Sequence, residues 1–112
     1  TGRMSNVNPQ AVFYKLDIRN NKELEDIFKK ERPDIVNHHA AQMDIRKSVD
    51  DPIYDAQVNI IGSLNVIQNA VKYNVKKFIF ASSGGAVYGE PEFLPVPETH
   101  SLNPTSPYGV SK

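Results

Sequence analysis

Cysteine and tryptophan are both missing from this chain, and methionine appears only twice. Without cysteine there is no disulfide scaffold and no thiolate metal site, though this alone does not fix the compartment. Excess charge of either sign is missing as well: 13 basic and 13 acidic side chains cancel, so no basic field calls for nucleic acid or an anionic membrane. No apolar run approaches the ~20 residues of a membrane span, and no signal peptide is visible. What remains as the default is a soluble, cytoplasmic domain. Its 112 residues allow one domain with a modest core, burying about two-thirds of the unfolded surface. Thr1 rather than Met at the start, and Lys112 in the opening turns of a helix, lead us to expect a fragment of something longer over residues 1–112.

What is present divides into strands and helices. Residues 1–10 are polar, with Gly2, Asn6, Asn8 and Pro9, and read as a loop. Ala11-Val12-Phe13-Tyr14-Lys15-Leu16 is a short β-rich run ending at Asp17-Ile18. Asn20 or Asn21 caps a helix through about Lys30; Leu24, Ile27 and Phe28 form its apolar stripe and Pro33 ends it. Ile35-Val36 opens a second strand that runs through Asn37-His38-His39 into Ala40-Ala41. Asp50-Asp51-Pro52 is an acidic cap followed by proline at the first helical position. From there Ile53, Ile60, Leu64, Ile67 and Val71 recur at helical spacing, which predicts a helix of roughly 20 residues. Lys72, Lys76 and Lys77 collect near its C-terminus, where cations suit the dipole. Phe78-Ile79-Phe80-Ala81 is a third strand, continuously apolar and so expected to be buried on both faces. The prolines at 91, 95, 97, 104 and 107 make residues 89–107 a long irregular loop. Strands and helices in this alternation predict a parallel α/β sheet.

In open α/β sheets, ligands collect beyond the carboxyl ends of the strands. Small and polar residues stand there: Asp17-Ile18, Ala40-Ala41-Gln42 and Ser82-Ser83-Gly84-Gly85. Alanine and glycine let a flat ligand lie against the backbone, and a serine can present its hydroxyl. At the end of the chain Ser106 is a good helix N-cap and Pro107 suits the first position, so Tyr108 and Lys112 share one helix face. A tyrosine with a pKa of about 10 is a poor base at neutral pH; a fixed ammonium nearby favours the phenolate. Each feature alone has an ordinary explanation, since strands commonly end in Asp, Ser or Gly turns and polar i,i+4 pairs are common. Three such ends in a row, followed by Tyr108 and Lys112, point to a ligand site.

At this level of detail the chain resembles the extended short-chain dehydrogenase/reductases, in the NAD-dependent epimerase/dehydratase branch that acts on nucleotide sugars. The likeness runs from about residue 11 to Lys112. It is carried by Asp17-Ile18-Arg19, by His38-His39-Ala40-Ala41-Gln42, and by Ser48-Val49, Pro52, Asp55, Asn59 and Gly62 in register. Ser82-Ser83-Gly84-Gly85-Ala86-Val87-Tyr88-Gly89 and Ser106-Pro107-Tyr108-Gly109-Val110-Ser111-Lys112 complete it. The resemblance implies a partial Rossmann-like parallel sheet made of the family's third to fifth strands.

It also implies roles. Tyr108 matches the catalytic tyrosine that takes or returns a sugar hydroxyl proton. Lys112 matches the lysine that holds the nicotinamide ribose and favours the phenolate. Ser83 matches the third catalytic member, with Ser82 beside it as the other candidate and Gly84 next along the substrate side. Asp17 and Ile18 match positions flanking the adenine of NAD; Ala40, Ala41 and Gln42 match the segment along its ribose and phosphates. Asn59 matches an asparagine that supports the active site from the long helix. His38, His39 and His100 have no metal-ligand spacing and are assigned no metal. The family's dehydratases tend to carry an acidic residue just after the catalytic serine or threonine, whereas Gly84-Gly85-Ala86 offers no carboxylate. The resemblance therefore narrows to a 4-epimerase of UDP sugars, homodimeric as a whole protein. A dehydratase or reductase relative is the runner-up, and a non-catalytic relative the rival outside enzymes.

The family's Gly-rich turn after its first strand is not among residues 1–112, and a pyrophosphate needs those backbone N–H groups. In a sheet ordered 3-2-1-4-5, the run at 11–16 is then separated from 35–39 by a two-strand gap. Either the gap leaves exposed edges, or 11–16 pairs directly with 35–39. The 112-residue chain by itself is expected neither to bind NAD tightly nor to turn over sugar. Calorimetric titration and an epimerase assay check this, and detectable turnover overturns it.

Overall fold

The computed structural model describes residues 2–112. Helix α1 (Asn21–Glu31) opens under the Asn20 side chain, which accepts from the Glu23 N–H, and closes at Arg32 in the left-handed region just ahead of Pro33. Strand β1 (Ile35–His38) and strand β2 (Lys77–Phe80) pair in parallel, Ile35 opposite Lys77 and His38 opposite Phe80. Between them runs one helical path. It comprises α2 (Ile45–Asp50), α3 (Pro52–Ala56), a π-helical segment (Gln57–Gly62) and α4 (Ser63–Lys72). After β2 come the short helices α5 (Gly84–Val87) and α6 (Pro107–Ser111).

Helix starts and stops follow the sequence closely. Asp51 accepts from the Tyr54 N–H at 2.9 Å with Pro52 at the first position, and Ser106 accepts from the Gly109 N–H at 3.1 Å with Pro107 behind it. The helix over residues 45–50 is not among the sequence expectations. Its signal is Asp44, whose carboxylate accepts from the Arg46 N–H at 2.9 Å and the Lys47 N–H at 3.3 Å.

Two expectations are corrected. Residues 11–16 form no strand and do not pair with 35–39; among the described residues the sheet has two strands, not three. A strand needs a neighbour to take its N–H and C=O groups, and none lies alongside. Side chains hold this stretch instead. Leu16 and Ile18 pack on the core, the Asn65 amide donates to the Ile18 carbonyl at 3.0 Å, and the Lys30 ammonium donates to the Tyr14 hydroxyl at 2.7 Å.

The second correction concerns the apolar helix stripe and the apolar third strand. Ile53, Ile60, Leu64, Ile67 and Val71 face outward, and Ile79 and Phe80 are each 40% exposed. The buried face of the helix is the smaller, more polar one: Asp55, Asn59, Gly62, Ser63, Val66, Asn69 and Ala70. The long helix turns its larger side chains away because α4 packs closely on α1, and close approach favours small residues. With only β1 beside it, β2 keeps apolar surface open. Ile60, Leu64, Ile67, Phe78, Phe80 and Val110 line a groove of about 410 Å³.

The core is small: Leu24 and Phe28 of α1 against Val66 and Ala70 of α4, with Val36, Tyr73, Val75 and Phe78 packed around them. The loop before α6 is ordered around the His100 ring, whose Nδ1 lies 2.8 Å from the Ser101 carbonyl; Tyr88 and Phe93 stand at 5.7 and 5.6 Å. Gly89 has a φ of +67°, and a Cβ there would stand 2.0 Å from the Asn103 carbonyl oxygen, so the chain reverses only with glycine. Among the described residues no helix is long and apolar enough to cross a membrane. Phe28, 6% exposed and 6.4 Å from the Tyr73 ring, is the largest side chain of the core cluster. Phe28→Ala is expected to lower the unfolding free energy by about 3–5 kcal/mol, read by chemical denaturation.

Candidate active site

Because β1 and β2 are parallel, their carboxyl ends lie on one edge, and the loops that leave them meet there. Past β1 the chain runs through Ala40, exposed, and Ala41, half-buried, to Gln42, buried. Gln42 is locked at every polar group. Its N–H donates to Asn59 Oδ1 at 2.8 Å and its carbonyl accepts from Asn59 Nδ2 at 2.9 Å. Its side-chain amide donates to the Asp44 carbonyl at 2.9 Å and to Asp55 Oδ1 at 3.0 Å, and accepts from the Asp44 N–H at 2.6 Å. Asn59 thus acts toward the loop as a neighbouring strand would, exchanging two hydrogen bonds with one residue. It stands in the π-helical segment, the wider turn of the long helix.

Helix α6 is pinned to the same helix. Ser111 Oγ donates to Asp55 Oδ2 at 2.7 Å and accepts from Asn59 Nδ2 at 3.0 Å. At its other end the Tyr108 N–H donates to Ser48 Oγ at 3.2 Å, and that hydroxyl donates to the Ile45 carbonyl at 2.6 Å. Ser48 is fully buried. Sequence reasoning placed Ser48 and Asp55 in register without a task and gave Ser111 none. The available signal was the spacing of Asp55 and Asn59, one helical turn apart on one face.

Past β2, Ser82 is exposed and Ser83, half-buried, stands at the N-cap position of α5 without accepting a cap bond. Ser82 Oγ donates to the Lys112 carbonyl at 3.0 Å. The Lys112 ammonium donates to the Ala81 carbonyl and lies 4.5 Å from the centre of the Phe80 ring. Burial pulls the Lys112 ammonium below the ordinary lysine range. Tyr108 is half-buried on the same helix, one turn back. The structure therefore brings Lys112 and Ser82 together at the end of β2, with Ser83 next in the chain and Tyr108 on the helix that carries Lys112. The cavity beside them, about 310 Å³, is lined by Ser82, Val87, Tyr88, Leu102, Gly109 and Lys112 among others. Gly84 and Gly85 leave the rim open, with no atom within 4 Å of where a Cβ would stand.

Asp17 lies at a separate cavity that also borders Gln57 and Ile61 of the π-helical segment. Asp17, Arg19, Asn20, Gln57 and Ile61 line a cavity of about 440 Å³. The Arg19 guanidinium grips the Asp17 carboxylate, with Nη2 at 2.7 Å from Oδ2, and holds that carboxyl below the usual carboxylate range. The same guanidinium lies 5.1 Å from the Tyr54 ring, which Lys47 approaches at 4.6 Å. Ile18 is half-buried and turned toward the core, so it is Asp17 that presents to the cavity. His38, buried at the end of β1, has Nε2 2.9 Å from Ser63 Oγ between the Phe78 and Phe80 rings, and burial holds its imidazole below the usual histidine range. His39 is exposed and His100 belongs to the loop before α6.

A lysine, serines and a tyrosine-bearing helix thus converge on one α/β edge, with a second cavity beside an aspartate. The chain belongs to the family described as GDP-mannose 4,6 dehydratase, which matches residues 1–112. Its fold is that of solved UDP-glucose 4-epimerases. The Thermotoga maritima enzyme with UDP-glucose superposes with a TM-score of 0.96 at 46% identity, covering 100% of this chain and 37% of that one. The Thermus thermophilus enzyme with NAD gives 0.95 at 42% identity, covering 100% and 36%. The UDP-glucose 4-epimerase of Mycolicibacterium smegmatis is 39% identical over 100 residues, 89% of this chain and 32% of that protein. The chain thus spans about a third of the length of the relatives it matches.

Gly109 decides how closely α6 approaches α5. A Cβ there would stand 2.5 Å from the Ala86 carbonyl oxygen and 2.9 Å from Pro104 Cβ, backbone and ring atoms with little room to move. Gly109→Ala is expected to cost about 1–3 kcal/mol and to shift α6, seen as a lower melting temperature and faster amide exchange at Lys112.

Proposed function

We propose that the protein carrying this chain is an NAD-dependent UDP-glucose 4-epimerase. The observation that carries the reading is the seating of Lys112 on the Ala81 carbonyl at the end of β2, beside Ser82 and on the same helix as Tyr108. Two UDP-glucose 4-epimerases of the same fold, one solved with NAD and one with UDP-glucose, support it.

The residues fit the cofactor by the chemistry of their donors and acceptors. Asp17, at the mouth of the 440 Å³ cavity, offers a carboxylate to the amino group of adenine. Ala40 and Ala41, small and partly open, offer a backbone surface to the ribose and phosphates, with Gln42 and Asn59 bracing that loop from behind. Lys112, three-donor and desolvated, suits ribose hydroxyls at the nicotinamide end. NAD, when bound, supplies the hydride acceptor and donor for C4 of the sugar.

The chain's own residues manage the proton. Tyr108 takes the proton of the C4 hydroxyl as that carbon is oxidised and returns it after the 4-keto sugar has turned over. Ser83, or Ser82 beside it, hydrogen-bonds the same oxygen and holds it in line, and Gly84 leaves room for the ring. Lys112 contributes its fixed positive charge one helical turn from the phenol.

A dehydratase is the second reading, since the matching family is described by one. A dehydratase needs a further acid/base to expel water from the neighbouring carbons, and Gly84-Gly85-Ala86 supplies none. The exposed stripe of Ile53, Ile60, Leu64, Ile67 and Val71 supports an assembly that covers it, and a homodimer is the proposed one.

The test is interconversion of UDP-glucose and UDP-galactose by the full-length protein. Tyr108→Phe is expected to reduce turnover by at least about a hundredfold with UDP-sugar binding retained. Undiminished turnover in that variant removes Tyr108 from the proton step, and absence of interconversion in the unaltered protein with NAD bound removes the epimerase reading.

A further inference from the structure

Asp55 is the one buried carboxylate among the described residues, 1% exposed, and the mechanism above gives it nothing to do. A carboxylate out of water normally sits against a cation. Asp55 does not: none of the ion pairs among the described residues includes it. Its oxygens are met by neutral groups, Gln42 Nε2 at 3.0 Å and Asn59 Nδ2 at 3.1 Å on Oδ1, and Ser111 Oγ at 2.7 Å on Oδ2, with the two Asn59 amide protons shared among Asp55, the Gln42 carbonyl and Ser111 Oγ. Each donor belongs to a different wall of the site: the loop past β1, the π-helical segment, and α6.

Helix α6 is also held by the Lys112 ammonium on the Ala81 carbonyl, by Ser82 Oγ on the Lys112 carbonyl and by the close approach of Gly109 to Ala86, and Ser111 adds the tie to the long helix. Ser111 stands three residues after Tyr108 and one before Lys112, so a bond from Ser111 sets the rotation of the helix about its own axis, and with it where both side chains point. The Ser48 contact fixes the first turn in place, but a bond to the Tyr108 backbone leaves rotation about that point free.

The geometry points to Asp55 as the positioning residue for the Tyr108–Lys112 pair, acting through Ser111, with Gln42 and Asn59 tying the same carboxylate to the loop past β1. The inference rests on the role given to Tyr108 above. An amide of the same shape at this position replaces one accepting oxygen with a donor that faces the donors around it.

The experiment uses the full-length protein with NAD and UDP-glucose, and compares Asp55→Asn, Ser111→Ala, Ser111→Thr and the Asp55→Asn/Ser111→Ala pair. Asp55→Asn and Ser111→Ala are each expected to lower kcat by about ten- to a hundredfold, with KM changed by no more than about twofold. Ser111→Thr, which keeps the hydroxyl, restores turnover, and the double variant loses no more than the worse single change. In the cofactor-free protein, amide exchange at Val110, Ser111 and Lys112 quickens in Asp55→Asn while exchange in α1 stays unchanged. Wild-type kcat in Ser111→Ala, or losses that add in the double variant, overturns the proposal whether or not Asp55→Asn folds. Undiminished turnover in Tyr108→Phe removes the role of Tyr108 instead, and exchange at α6 then still reports whether Asp55 holds that helix.

Discussion

A carboxylate buried without a cation needs hydrogen-bond donors, and that need organises the site. Asp55 is 1% exposed, and a buried polar group left without partners is costly. Gln42, Asn59 and Ser111 answer it, and in doing so they fix the loop past β1, the widened helical turn and α6 relative to one another. The Asn59 amide adds a second layer, bonding both backbone groups of Gln42. Polar groups satisfied in this way specify a geometry more sharply than apolar contact, which is non-directional. The apolar core, by contrast, lies on the far half of the helix, where α4 meets α1. One helix therefore has two halves with different work: its last turns pack the core, and its first turns hold the loop past β1 and α6.

The π-helical segment marks the boundary between those halves. A turn with an i→i+5 pattern is uncommon and is frequently found at functional sites. Here it carries Asn59 inward beside Asp55, so both amide and carboxylate reach the loop past β1. The alternative readings of the chemistry divide at a single place on the opposite wall. Glycines at 84 and 85 and alanine at 86 leave the turn after β2 open and uncharged.

Much of this was legible in the chain. Caps and prolines are local signals, so Asn20, Asp51-Pro52 and Ser106-Pro107 place their helices where they are found. The parallel sense of β1 and β2 follows from the helix between them, and the gathering of small polar residues beyond the strands follows from that sense. The run at 11–16 reads as a strand because its composition is β-rich, yet strand formation is a property of a pair, and here nothing lies beside it. The stripe from Ile53 to Val71 reads as a core face because periodicity reports that one side is apolar without saying which side meets the protein.

The sequence by itself determined the order of elements, the points where helices begin, and which residue types stand at the carboxyl edge, since each is set by bonds between near neighbours. Tertiary structure alone decided which face of the long helix turns inward, and that Asp55, Ser48 and Ser111 tie α6 to the helices before it. The inward face depends on α4 packing against α1, and the ties on contacts 52 to 60 positions apart, Asn59 with Ser111, Asp55 with Ser111, and Ser48 with Tyr108. Such contacts are made only when separate elements pack, and no local pattern encodes them.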